Sequence, residues 1–372
     1  MPKYRRRLPD ILYMLWFVGT GINGYRGLSL AALDVLKKCD TIYAERFTSA
    51  LSDDDLESIS ALVGKKIKPV QRSFVEDGRE ILENAIKSEV ALVTYGDPLI
   101  ATTHSELRAR AARDSVKTRV LHAASGITSI IGETGLHVYK FGRMVTMMAE
   151  PQSAISVYNT IFENLLAGSH TLILTEYNNS SSHDERGEPF FLEPGAVFKM
   201  LLDVERDQRY QIFSNNTFAI VASRVGQDGQ RITSGKVGSL AKIDFGTGPH
   251  TVIVTGSMHF TESEAVAALT ESVDEPTDNS QGIKRISTQM IERYAPRAKI
   301  AARQMRDIVR QDAAGNKGMF DVLDNAEYYI ADAERFLRQA KFELAVLSIG
   351  YAEGLVDALR FQMGINPWEN RD

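Results

Sequence analysis

Cysteine is almost missing from this 372-residue chain: Cys39 stands alone, so no intrachain disulfide framework can form. No metal-type Cys/His spacing appears among the seven histidines, so no metal site is expected. A reducing, cytoplasmic setting is the natural inference. A basic balance is missing too. The 43 Lys and Arg against 48 Asp and Glu leave a net charge of −5, which gives no support to general nucleic-acid binding, and no direct nucleic-acid contact is expected. Long apolar runs are lacking as well. The run Ile11–Val18 after the basic start Lys3, Arg5, Arg6 and Arg7 falls far short of the roughly 20 residues a bilayer requires. No small-residue cleavage site follows it, so the run reads as a first strand rather than a secretory signal, and no membrane partner is expected. Repeats at solenoid spacing and low-complexity tracts are absent apart from one linker.

What is present is an ordinary globular composition, 44% hydrophobic and 24% charged, at a length that divides into two or three domains. Short β-rich runs alternate with helical patterns, which predicts βα units and a mainly parallel sheet. One set of strands is predicted at Leu15–Gly19, Thr41–Glu45, Lys66–Val70, Val90–Thr94 and Val120–His122. A second set comprises Thr171–Thr175, Phe218–Ser223 and Thr251–Val254, with a helix around Ala196–Val204, so a domain break is expected near residues 136–152. Asp274 to Gly282 has the composition of a linker. Beyond Ile283 strand signals stop, and Ala326–Ala340 and Phe342–Gln362 read as an amphipathic helical hairpin closed by Pro367. Between Lys284 and Lys317 basic residues outnumber acidic ones nine to three. That excess reads as a solvated helix face, with docking on RNA or on a ribosome-associated factor as the alternative.

Two motifs carry chemistry. Gly19-Thr20-Gly21-Ile22-Asn23-Gly24 is a GxGxxG turn after a strand, with Glu45 ending the next strand where a ribose ligand would sit. Such a turn serves a dinucleotide, another nucleotide-like ligand such as S-adenosylmethionine, or no ligand at all. Gly96-Asp97-Pro98-Leu99-Ile100-Ala101-Thr102-Thr103-His104-Ser105-Glu106-Leu107-Arg108 follows the apolar run Val90–Thr94 and reads as a buried strand breaking into a helix. Ligands of open α/β sheets bind at such strand ends. Asp97 either orients a polar cofactor there or caps the helix, and Ser125 has the same two readings. His104 and His137 read as packed or capping residues without a catalytic role. Glu176 and Tyr177 end a strand and either face an acceptor or lead into a solvated loop, Asn178 to Ser182.

The GDPLIATTHSELR run closely resembles the archaeal diphthine synthases. Cys39-Asp40, Ala44-Glu45-Arg46-Phe47-Thr48-Ser49, His122-Ala123-Ala124-Ser125, Thr134 to Gly142, Asp244-Phe245-Gly246 and Pro249 to Val254 extend the likeness over residues 14–265. The resemblance implies a tetrapyrrole-methylase-like (class III methyltransferase) fold. It comprises two α/β domains, 14–136 and 137–270, followed by a helical accessory domain over 283–368 that resembles an archaeal domain of unknown function. It makes residues 1–13 either an extension or a misassigned start, in both cases without function. It implies S-adenosylmethionine as cofactor, with contacts at Ile22, Asp97, Ile100, Ser125, Gly126, Thr175, Val225 and His250. This chain departs from the family in having Phe47 for Tyr, Ala124 for Pro, Gly126 for Ile, and Thr175 for an apolar residue. The implied reaction is trimethylation of the 3-amino-3-carboxypropyl-histidine of translation elongation factor 2 in diphthamide biosynthesis, by a homodimer. Glu45 is a candidate proton acceptor. Three other functions stay open: a tetrapyrrole (precorrin-type) methyltransferase sharing the fold, an NAD-dependent oxidoreductase resting on GxGxxG with Glu45, and an adaptor acting through the tail.

Overall fold

A computed structural model describes residues 13–47, 51–178, 190–311 and 317–366. Residues 1–12, Thr48 and Ser49 of the AERFTS stretch, Asn179 to Ser182 and Pro367 therefore lie outside the described residues. The chain forms two compact units, residues 1–281 and 282–372.

The first lobe of the larger unit runs β1 Met14–Gly19, α1 Leu30–Lys38, β2 Thr41–Glu45, α2 Asp53–Val63, β3 Ile67–Val70, α3 Arg72–Asp77, α4 Arg79–Ala85, β4 Val90–Thr94, α5 His104–Arg113 and β5 Lys117–Leu121. The strands pair in the order β3-β2-β4-β1-β5, all parallel. Helices cover both faces. Leu36 of α1 and Ile59 of α2 pack with Val18, Ile42 and Val93 on one side. Ile81 of α4 and Leu107 of α5 pack with Leu15, Phe17 and Leu92 on the other. Burial on both faces explains why β4 is an unbroken apolar run. Since β1 leads into α1 on one face and β4 into α5 on the other, neighbouring β1 and β4 flank a topological switch point, where a crevice opens at the carboxyl ends.

The chain then continues α6 Gly126–Thr134, β6 Val145–Met147, α7 Pro151–Leu166, β7 Thr171–Thr175, β8 Tyr177–Asn178, β9 Phe190–Phe191, α8 Pro194–Gln208, β10 Phe218–Ser223, β11 Arg231–Lys236, α9 Val237–Leu240, β12 His250–Val254, α10 Phe260–Leu269 and β13 Glu271–Ser272. Although α6 follows β5 directly, its Ile130 and Ile131 are buried with Leu172, Phe218, Ile220 and Ile253 of the second lobe, so the chain changes lobes before this helix. The second sheet, β13-β11-β10-β12-β7-β6, corrects the expectation of parallel pairing: β11-β10-β12-β7 is antiparallel throughout, and only the outer strands β13 and β6 pair parallel. The cause lies in the connections. A parallel crossover takes a dozen or more residues and usually a full helix, whereas β10 and β11 are joined by a short turn and must therefore pair antiparallel; β12 then lies antiparallel on the other side of β10.

The smaller unit is a three-helix module of α11 Ile286–Gln311, α12 Lys317–Arg338 and α13 Phe342–Gln362. The last two form the expected hairpin; the first carries the basic stretch read as a helix face and runs on through Pro296, which removes one helical hydrogen-bond donor. Two buried clusters hold the three together, one around Ile291, Ile330 and Ile349, the other around Met305, Leu323 and Val356. The basic excess of α11 is partly matched inside the module. Lys299 pairs with Glu334, and Arg306 with Asp324 and Glu327, at 2.5, 2.6 and 3.1 Å respectively.

Candidate functional site

Three turns converge at the carboxyl edge of the first sheet. Beyond β1 and β4 the backbones go on pairing: Thr20 N donates to Thr94 O at 2.9 Å, and Gly21 and Gly96 exchange hydrogen bonds of 3.2 and 2.8 Å. A Cβ on Gly19 would lie 2.5 Å from Gly96 O and 2.8 Å from Ala123 Cβ, so only glycine lets the turns after β1, β4 and β5 meet. The β1 turn is further tied to α2, where the capping-box residue Asp55 accepts from Tyr25 N at 2.8 Å. No helix opens at these glycines. A single 3-10 turn, Gly24–Gly27, follows, and α1 begins only at Leu30 behind its Ser29 cap. A dinucleotide turn places its pyrophosphate on a helix N-terminus, and that element is missing. Glu45 is buried and its Oε2 accepts from Phe47 N at 3.0 Å. The oxidoreductase reading loses its geometric basis.

Asp97 is buried but caps no helix, since α5 starts at His104 behind Thr103. Its Oδ1 accepts from Leu99 N at 3.0 Å, while Oδ2 meets His122 Nδ1 at 2.8 Å and Ala123 N at 3.3 Å. One carboxylate thus fastens the β4 turn to the β5 turn. Ser125 sits at the N-cap position of α6 without a side-chain capping bond. A Cβ on the adjoining Gly126 would meet nothing within 4 Å, so the helix entrance is open. Ile100 is 48% exposed on the same loop as Asp97. His104 is fully buried beneath that loop with Nδ1 2.9 Å from Pro98 O, and burial lowers its pKa, so it packs as a neutral imidazole. His137 gives its backbone N–H to Glu262 at 2.8 Å.

In the second lobe Thr175 and His250 end adjacent antiparallel strands on one side of the sheet. Thr175 Oγ1 donates to His250 O at 2.7 Å, and His250 Nδ1 lies 2.8 Å from Ser223 Oγ. The His250 pKa falls, chiefly because the ring is buried, and its Nε2 looks toward Glu193 at 3.7 Å. Burial first and Asp244 second raise the Glu193 pKa. Val225 half-buries in the turn that follows Ser223. That turn closes on the first lobe: Asn23 Nδ2 donates to Gly226 O at 2.6 Å, and a Cβ on Gly226 would lie 2.5 Å from Ile22 Cγ1. The Tyr95 hydroxyl completes the seam, donating to Ile22 O at 2.5 Å while accepting from Gln227 Nε2 at 2.7 Å.

Ile22, Asp97, Ser125 and Gly126 are therefore gathered at the edge of one lobe, Thr175 and His250 at the edge of the other, with Val225 in the turn between them. The arrangement brings apolar side chains and a few fixed polar groups together, the kind of lining a small-molecule site has. His122, Tyr95, Gln227 and Glu193 carried no sequence signal for their roles beyond proximity: His122 lies three residues before Ser125, and Tyr95 directly before Gly96. Among the described residues no group of three or more His, Cys, Asp or Glu could hold a metal ion, and no helix is long and apolar enough to cross a membrane.

Residues 14–241 match the tetrapyrrole (corrin/porphyrin) methylase family, and residues 289–365 match a protein family of unknown function, DUF357. The diphthine synthase of Methanothermobacter thermautotrophicus is 33% identical over 253 residues, covering 68% of this chain and 93% of its own. The diphthine methyl ester synthase of Dictyostelium discoideum is 33% identical over 263 residues, covering 68% and 96%. A crystal structure of a diphthine synthase superposes with a TM-score of 0.60 at 29% identity, over 70% of this chain and 96% of that one.

Proposed function

The chain belongs to the diphthine synthases within the tetrapyrrole methylase family and is a methyltransferase, and from that membership we propose that it methylates the amino nitrogen of the 3-amino-3-carboxypropyl-histidine of translation elongation factor 2, using S-adenosylmethionine. Three methyl transfers, a homodimer and a cytoplasmic site of action complete the proposal. The observation that carries it is the meeting of the glycine turns of the first lobe with the Gly226 turn of the second, in a chain that spans 93% of a diphthine synthase at 33% identity. A tetrapyrrole acceptor, which the fold alone allows, is not favoured.

The cleft suits such a donor. Ile22, Ile100 and Val225 offer apolar surface to an adenine face, Asp97 and Ser125 offer polar groups to a ribose or an amino-acid tail, and the open entrance at Gly126 leaves room at the helix start. Bound there, S-adenosylmethionine supplies a methyl group already activated by its sulfonium charge. The chain's own work is then mainly alignment and exclusion of water. The seam of Ile22, Tyr95 and Gln227 holds the lobes in register, and the Asp97 bridge holds the turns. Before each transfer the acceptor amine must lose a proton, and Glu45 at the carboxyl end of β2 is the carboxylate proposed to take it. Unchanged methylation by Glu45→Gln would remove it from that role.

Mass spectrometry of elongation factor bearing the aminocarboxypropyl histidine, after incubation with the protein and S-adenosylmethionine, tests the proposal. Added mass in methyl units on that residue, ending at three, is the expected result. No added mass there, or transfer to a porphyrin precursor instead, refutes it.

A further inference from the structure

The proposed acceptor carries a carboxylate next to the amine that receives the methyl groups, and a carboxylate drawn out of water into a cleft needs a cation to meet it. We propose that Arg46, assisted by the Tyr177 hydroxyl of the other lobe, binds that carboxylate and so selects the acceptor. The inference rests on the reading of the protein as a diphthine synthase acting on an aminocarboxypropyl side chain.

Arg46 directly follows β2, on the carboxyl edge of the parallel sheet where ligands enter. Its side chain is only 20% exposed, yet its hydrogen bonding is incomplete. Nη1 holds Asp53 Oδ1 at 2.7 Å, while Nε is buried without a hydrogen-bond partner among the described residues. A guanidinium has five donors arranged to grip a carboxylate in bidentate fashion, and here one is engaged. The Asp53 partner competes weakly, because its side chain is 76% exposed and water screens such a pair. Arg72, which stacks on the Phe47 ring at 5.3 Å, is engaged elsewhere.

Tyr177 lies on β8, its ring 5.0 Å from that of Phe191 across the two-stranded ribbon. Burial pushes its hydroxyl up to about 12, with the charges of Arg46, Glu45 and Asp53 acting on it next. At neutral pH it is an O–H donor. A carboxylate held between the two gains a cation from one lobe and a hydroxyl from the other, while its ammonium neighbour lies by Glu45. Both charges of an α-amino acid group are thereby matched, whereas an unmodified histidine offers neither.

Steady-state kinetics with the modified elongation factor, paired with calorimetric binding of S-adenosylmethionine, test the clamp. Arg46→Gln is expected to raise KM for the acceptor about tenfold or more, with donor affinity and melting temperature unchanged. Arg46→Lys keeps the charge but not the fork and should fall between. Tyr177→Phe should raise KM severalfold, and the double variant should cost less than the product of the two, since both grip one ligand. If Arg46→Gln does not fold, Tyr177→Phe, lacking one oxygen, carries the test under the same criteria. Wild-type transfer with an unchanged acceptor KM in these variants overturns the clamp alone. No transfer by the wild type overturns the functional reading and the clamp with it.

Discussion

Replacing Glu262 by Gln tests whether the rear of the second lobe is held by charge. Glu262 is completely buried at the start of α10. Its Oε2 accepts from Lys140 Nζ at 2.6 Å and from His259 N at 2.8 Å, and its Oε1 from His137 N at 2.8 Å and from His170 Nε2 at 3.1 Å. His170 Nδ1 in turn accepts from Gly256 N at 2.9 Å, which fixes Nε2 as the donor toward the carboxylate. Burial works to raise the Glu262 pKa, yet the bonds from Lys140, His137, His259 and His170 overcome it and bring the value from 4.5 down to about 2. At about 1.4 kcal/mol per unit, the ionised form contributes on the order of 3 kcal/mol to folding. The sign follows from the lowered folded-state pKa: the contribution is complete above the unfolded value near 4.5 and disappears as pH falls through about 2. Glutamine keeps the shape but leaves the Lys140 ammonium beside the Ser257 carbonyl without a counter-charge. Urea unfolding of both proteins at several pH values should show a gap of about 3 kcal/mol at pH 7 that narrows between pH 4.5 and 2. A gap below about 1 kcal/mol at pH 7, or one that does not change with pH, would refute the reasoning. Since His170 precedes β7 and Gly256 follows β12, the network lies at the opposite end of the sheet from Thr175 and His250, and donor affinity should not move.

Three further outcomes are expected. Gly226→Ala adds a Cβ at φ +81° against Ile22, so the lobe seam should open and S-adenosylmethionine binding weaken by about tenfold or more in calorimetry. Asp97→Asn removes the charge that fastens Leu99, His122 and Ala123, and equilibrium dialysis should show roughly tenfold weaker donor binding. Removing residues 282–372 takes away a unit with its own buried clusters, so the remaining chain should keep its melting temperature and its methyl transfer; loss of transfer would favour a tail that serves the reaction.

The first lobe was readable from its residues because strands buried on both faces of a parallel sheet leave continuous apolar runs, as Val90–Thr94 does. Strand direction in the second lobe was not readable. Phe218–Ser223 is just as buried, and a buried run has no mark of polarity; the short turn from β10 into β11 makes that pair antiparallel. The basic stretch before the hairpin was readable as a helix face but not as a third packed helix; α11 runs through Pro296, whose missing donor a long helix tolerates once Ile291, Ala295 and Ala298 are buried against the other two helices. Asp97 drew notice through its Gly-Asp-Pro turn, but its two expected roles were helix cap and cofactor ligand, and its use as a bridge to His122 and Ala123 depends on residues about 25 positions away.

From residue order alone came the alternation of strands and helices, the glycine turns, the linker before the last helices and the family likeness, because each is written in short-range pattern. Only the folded chain could set Ile22 against Gly226, or Tyr95 beside Gln227, since those partners lie far apart in the sequence and meet only when two separately packed lobes close on each other. A cleft built from strand ends of two lobes has no linear signature; it exists only once both sheets have buried their faces.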